Sequence, residues 1–184
     1  VNLEVGPDGA LYIVDMYRAV IEHPEWMPDE LQRRSDLLDG SACGRIYRVV
    51  PRDFQRPDRP HLSTETSDAL VDMLSHTNAW WREHAQRLLR ERQATDATEL
   101  LVELATRGAS PVGRLHALYT LDGLANGLDL DTIVSALRDT DPAVRRHALR
   151  LAESSIEHHP ELLQHIQNMI DDPDEQVRLQ VALS

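Results

Sequence analysis

DPAVRRHALRLA, residues 141–152, begins with an Asp able to cap a helix and continues with Pro at the first helical position. It spaces Val144, Ala148, Leu151 and Ala152 along one helical face. NAWWREHAQRLL (78–89), SPVGRLHALYTL (110–121) and DEQVRLQVALS (174–184) align with it on Ala85, Ala117, Ala148 and Val181, in steps of 32, 31 and 33 residues. A period of this size marks helix pairs that bury their apolar faces against one another rather than alone. Each segment follows a second apolar stretch, DALVDML, TELLVELA, DTIVSAL or ELLQHIQNMI, separated from it by a polar turn. The expected fold class is mostly α: an α-solenoid of about four helix pairs over residues 67–184.

Two polar columns run through the alignment. Asn78, Ser110, Asp141 and Asp174 stand where a side-chain oxygen can accept from the free N–H groups that open a helix. Four residues later come Arg82, Arg114, Arg145 and Arg178, so the Asp and Arg columns read as a structural ladder between adjacent units. His84, His116 and His147 form a third column. Stacked helices lie about 8–10 Å apart, too far for aligned imidazoles to share one metal ion, so these histidines are expected to pack or hydrogen-bond between units. Trp81 aligns with core Val144, Trp80 is expected to be exposed, and His158, His159 and His165 around Pro160 read as surface residues.

The first 50 residues are different. VNLEV (1–5), ALYIVDMY (10–17) and GRIYRVV (44–50) alternate apolar and polar residues as strands do, and GPDG (6–9) supplies a tight turn between the first two. Between strands two and three, PDELQRRSDLLDG predicts a short helix using Leu31, Leu37 and Leu38 and ending near Gly40. Three strands would leave open edges, so this three-stranded antiparallel piece is expected to need a neighbour. PRDFQRPDRPHLSTET (51–66) reads as a Pro-rich linker before the helical domain at 67–184. The basic run Arg45, Arg48, Arg52, Arg56 and Arg59 is interleaved with Asp53 and Asp58 and reads as solvated rather than as a binding patch.

A formal charge of −12 over 184 residues disfavours nucleic acid as a partner. Cys43 is the only cysteine, so an internal disulfide, a Cys-rich zinc site and a c-type haem attachment are excluded within the chain. LYIVDMY is too short for a membrane span, and no nucleophile elbow, phosphate loop or paired-carboxylate motif occurs. Asp15, Arg18, Glu22 and His23 cluster where strand two runs into a long loop, a place where binding sites are often built. Locking the loop to its own backbone is the competing reading for the same residues.

DPAVRRHALRLA and DPDEQVRLQVAL resemble HEAT repeats. VNLEVGPDGALYIVDMYRAVIEHPEWMP followed by GRIYRVVP resembles the closing blade of a β-propeller of the glucose/sorbosone dehydrogenase type. The order of propeller end, proline linker and HEAT repeats is similar to the bacterial membrane-bound dehydrogenase family, in which a propeller precedes HEAT repeats and often a c-type cytochrome domain.

The resemblance implies an exported, periplasmic or membrane-associated oxidoreductase whose propeller holds a quinone such as pyrroloquinoline quinone (PQQ). The chain would then be a β-propeller blade remnant (1–50) joined to HEAT repeats, cut at its start and continuing beyond Ser184. Because earlier blades and any haem motif are absent, no catalytic residue is carried over and no cofactor is expected in this chain. Asp15, Arg18 and His23 stand as the cofactor-binding candidates. A non-catalytic scaffold with a protein partner on the HEAT surface is the expected role, and a purely protein–protein interaction protein is the alternative.

Overall fold

The computed structural model describes residues 2–21, 23–58 and 61–184, with Pro24 described in its backbone alone; Val1, Glu22 and Arg59 of the sequence argument lie outside. The chain divides into two compact units, with the boundary between positions 60 and 61. It is mostly helical, with one three-stranded antiparallel sheet.

In the first unit, β1 (Asn2–Val5), β2 (Leu11–Asp15) and β3 (Arg45–Val49) are hydrogen-bonded in that order. The register sets Leu3 opposite Ile13 and Ile13 opposite Tyr47, with Val5, Leu11 and Val49 in the next row of the same face. The opposite face carries Val14, Ile46, Tyr12 and Arg48. The Gly6–Gly9 turn closes with the Gly9 N–H donating to the Gly6 carbonyl at 2.9 Å, and Gly9 takes φ +77°.

Asp8 holds this hairpin against the third strand. Its carboxylate accepts from the Ala10 N–H at 3.0 Å and the Tyr12 hydroxyl at 3.0 Å, and it pairs with Arg48 at 2.6 Å. Burial pushes the Asp8 carboxyl up, but these three donors together hold it below the usual carboxylate range.

The helix expected over 28–40 contracts to α1 (Asp29–Gln32). Pro28 offers no side-chain cap, and Leu38 is exposed, so no buried face rewards continuing the helix. Instead the loop closes on itself: Ala19 N–H donates to the Asp39 carbonyl at 3.1 Å, and Gly40, at φ +77°, lies against the Tyr17 carbonyl where a Cβ would collide. Tyr17 itself adopts φ +52°.

The second unit contains α2 (Ser67–Met73), α3 (Ala79–Glu91), α4 (Thr98–Arg107), α5 (Pro111–Asp122), α6 (Leu130–Leu137), α7 (Pro142–Glu153), α8 (Leu162–Gln167) and α9 (Glu175–Leu183). α2 packs on α3, α4 on α5 and α6 on α7. The even-numbered helices neighbour one another in sequence, as do α3, α5, α7 and α9, giving two layers.

Leu70, Leu89, Leu101, Leu118, Ile133, Leu149 and Leu162 fill the space between the layers. Each such side chain is worth about 1.5–3 kcal/mol of burial. Ala85, Ala117 and Ala148 are buried at the aligned positions, where a small side chain lets the layers approach. The expected caps are present: Asn78 accepts from Trp80 N–H, Ser110 from Gly113 N–H, Asp141 from Ala143 and Val144 N–H, and Asp174 from Gln176 and Val177 N–H. Trp80 and Trp81 are both half-buried. Trp80 is covered because its ring stacks on His84 with centroids 3.9 Å apart.

Candidate functional site: the seams between helix pairs

The Arg column is built on a common local geometry. In each case Nη1 reaches back to carbonyls of the turn before its own helix: Arg82 to His76 and Thr77, Arg114 to Gly108, Arg145 to Asp139 and Thr140, Arg178 to Asp172 and Pro173. This anchors the guanidinium so that Nε and Nη2 point away as a fork toward the following helix pair. Arg114 places that fork on Asp139, with both contacts at 2.7 Å, and Arg145 places it on Asp172 at 2.8 and 2.7 Å. The side chains of both pairs are about a tenth exposed or little more, so the bonds form with water largely excluded.

The acid rung is therefore not the capping Asp. Asp141 and Asp174 each turn Oδ1 to helix N–H groups, and the ladder uses the aspartates two residues earlier. Asp139 accepts from Asp141 N–H at 2.8 Å, and Asp172 from Asp174 N–H at 2.9 Å. One carboxylate thus fixes its own turn and receives the fork from the preceding pair. The Arg145 hydrogen bonds hold the Asp172 carboxyl below the usual range, and Asp172 raises Arg145 in turn.

The first seam is made differently. Gly108 occupies the rung position and offers no carboxylate, so Arg82 Nε donates instead to His116 Nε2 at 3.3 Å. His116 Nδ1 lies 2.7 Å from Gln86 Oε1, an acceptor, which places the imidazole proton on Nδ1 and leaves the ring neutral. Burial, with Arg82 adding to it, pushes the His116 imidazole below its ordinary value. Gln93, at φ +48°, completes this seam: its side-chain N–H donates to the Gly123 carbonyl at 3.1 Å, and its oxygen accepts from Ala125 N–H at 2.7 Å.

In the second seam the Tyr119 hydroxyl meets His147 Nδ1 at 2.7 Å, while His84 bonds within its own helix to the Trp80 carbonyl. Burial lowers His147, with Arg146 and Arg150 acting the same way. A groove of about 540 Å³ beside the first seam is walled by Glu83, Arg87, Arg90 and Glu91, a mixed-charge lining open to solvent.

The candidates in the first unit are held separately. Asp15 ends β2 opposite Arg45 and accepts from Tyr17 N–H at 2.9 Å, locking the strand exit to its own backbone. Arg18 is exposed, and His23 Nδ1 accepts from Glu25 N–H at 3.3 Å. Among the described residues no hydrogen bond or ion pair joins the three. Arg45 is spent on aromatic rings, 3.9 Å from the Tyr17 centroid and 5.9 Å from that of Tyr47. Arg48 stacks on Phe54 at 4.8 Å.

Cys43 is exposed. Among the described residues no group of three His, Cys, Asp or Glu side chains is placed to hold a metal, and no helix is long and apolar enough to cross a membrane.

The rung aspartates and Gln93 lie outside the columns picked out in the sequence. The D-x-D spacing at 139/141 and 172/174 was the available signal for the first; none marked the second. Residues 1–53 match the family model of a domain of unknown function, DUF7133. Comparison with curated proteins and with solved structures gives no match.

Proposed function

We propose that the helical unit is an α-solenoid of HEAT type and that the chain serves as a non-catalytic interaction scaffold. The supporting observation is the repeated seam, in which Arg114 and Arg145 fork onto the rung aspartate of the following pair while the cap residues recur in every pair. Polar side chains that other folds commit to a reaction are here spent on holding neighbours in register. The layer of α3, α5 and α7 leaves Arg87 and Arg150 exposed for contact with protein.

In this reading the first unit is a propeller blade of a quinone-dependent, sugar-type dehydrogenase carried by an exported protein, and the helical unit is its docking portion. The exposed apolar row Leu3, Val5 and Val49 on one sheet face favours a blade over a free-standing sheet, because a blade presents that face to a neighbour.

Two measurements test the proposal. A photo-crosslinking side chain at position 87 or 150, expressed in the source organism, should trap one defined protein. The purified chain supplied with PQQ, an aldose and an artificial electron acceptor should show no turnover. Turnover by the chain, or failure to trap any protein from either position, overturns the scaffold reading.

A further inference from the structure

α2 and α4 face each other across a groove of about 510 Å³. Asp68, Val71 and Asp72 on α2, with Ser75 in the turn after it, follow the i, i+3, i+4, i+7 spacing that puts them along one helical face. Leu100, Glu103, Leu104 and Arg107 repeat that spacing on α4. Val71 is buried, Leu104 half-buried and Leu100 39% exposed, so an aliphatic strip lies open to water in the layer of even-numbered helices. Three exposed carboxylates, Asp68, Asp72 and Glu103, rim the strip. Among the described residues their side chains enter no hydrogen bond or ion pair, unlike those of the seam aspartates Asp139 and Asp172.

The repeat does not impose these carboxylates. In the neighbouring groove between α4 and α6, of about 580 Å³, Ser135 stands where Glu103 stands one pair earlier, and Arg107 and Arg138 both line the walls. The acidic rim on an aliphatic strip is therefore particular to the α2–α4 groove.

We infer that the α2–α4 groove is a docking surface for a partner peptide in which Lys or Arg side chains flank an aliphatic residue. Charge complementarity chooses this occupant. Its aliphatic residue covers Leu100 and Leu104, while the basic side chains lay their methylene stems on the strip and carry their charge to Asp72 and Glu103. An acidic segment would be repelled by three carboxylates, and a purely apolar one would take water from them without replacing it. The inference rests on the scaffold reading above, to which it adds a partner chemistry on a different layer from Arg87 and Arg150.

The test titrates the full chain with a short capped peptide that alternates lysine with leucine, followed by calorimetry and by amide NMR. Binding should shift the amides of Ser75, Leu100 and Glu103 and weaken as salt rises. Asp72→Asn combined with Glu103→Gln should weaken it about 3- to 10-fold, as expected for the loss of two solvent-exposed ion pairs. Leu100→Gln should weaken it by a similar factor. Removing the same charge elsewhere, with Glu157→Gln and Glu175→Gln, should change it by less than about twofold.

Equal weakening by the two charge-removing pairs overturns the inference, as does a lysine peptide that does not bind or a glutamate-for-lysine peptide that binds as well. So does self-association of the free chain that Asp72→Asn with Glu103→Gln abolishes, which would make a second copy the occupant. The crosslinking and turnover measurements above read the scaffold itself, so a protein trapped at position 87 or 150 beside an unbound lysine peptide fails the groove inference alone.

Discussion

Arg145 and Asp172 meet across the seam between α7 and the turn before α9 through two parallel hydrogen bonds of 2.8 and 2.7 Å, while Arg145 also holds the carbonyls of its own turn. A guanidinium that joins two turns in this way fixes the offset of one helix pair on the next. Asp172→Asn keeps the shape and removes the charge and one acceptor. It should cost about 2 kcal/mol in urea unfolding, the range for hydrogen bonds to charged groups. Asp139→Asn should cost a similar amount, and a loss under about 0.5 kcal/mol in both would show that the ladder does not hold the stack.

Acid should weaken both units. Asp172 and Asp8 have carboxyl groups held below their ordinary value of 3.8. A depressed carboxyl stabilises the fold in full above its unfolded value and loses that contribution as pH falls through the folded one. Unfolding free energy should therefore drop steeply below about pH 4. The Asp172→Asn variant should show a shallower slope over the same range, and an unchanged slope would contradict the assignment.

A second, milder pH response belongs to the histidines. His116 and His147 are lowered from 6.5 by burial, so the unfolded chain binds their protons more readily than the folded one. Stability should be complete above about pH 7 and decline as pH falls below 6.5. The ring resonances of both residues, followed by NMR, should titrate with midpoints below the ordinary imidazole value of 6.5. Midpoints at or above 6.5 would refute the neutral, seam-bound state.

Gly9 and Gly40 separate conformational strain from collision. Both adopt φ +77°, but a Cβ on Gly9 meets nothing within 4 Å, whereas one on Gly40 strikes the Tyr17 carbonyl. Gly9→Ala should cost about 1 kcal/mol, the strain of a left-handed non-glycine residue. Gly40→Ala should cost at least about twice that and should disturb the amide of Ala19, seen as a loss of its hydrogen-exchange protection. Equal costs would mean that the loop yields freely.

The helical unit was legible because Ala85, Ala117, Ala148 and Val181 recur at nearly constant spacing with a capping residue before each. Periodicity and capping report local chemistry directly. The short helix after Pro28 was overextended because Leu37 and Leu38 look amphipathic in sequence, but no apolar surface receives Leu38. The rung aspartates were hidden by a neighbouring residue of the same type, since Asp139 and Asp141 are both acidic and only contact across the seam separates their tasks. Gln93 gave no sign, because its value lies in a left-handed backbone and two partners some 30 residues away. Asp15, Arg18 and His23 are near in sequence, and in the structure Asp15 and His23 each bond to a backbone N–H two residues on.

The chain contains no lysine, and the partner that each seam arginine finds changes along the stack: an imidazole for Arg82, then carboxylates for Arg114 and Arg145. The boundaries accordingly differ in the proton concentration that undoes them. Mild acidification reaches His116 and His147 first and leaves the Arg145 clasp intact, so a falling pH would peel the array from its leading end, with the trailing pairs the last to part.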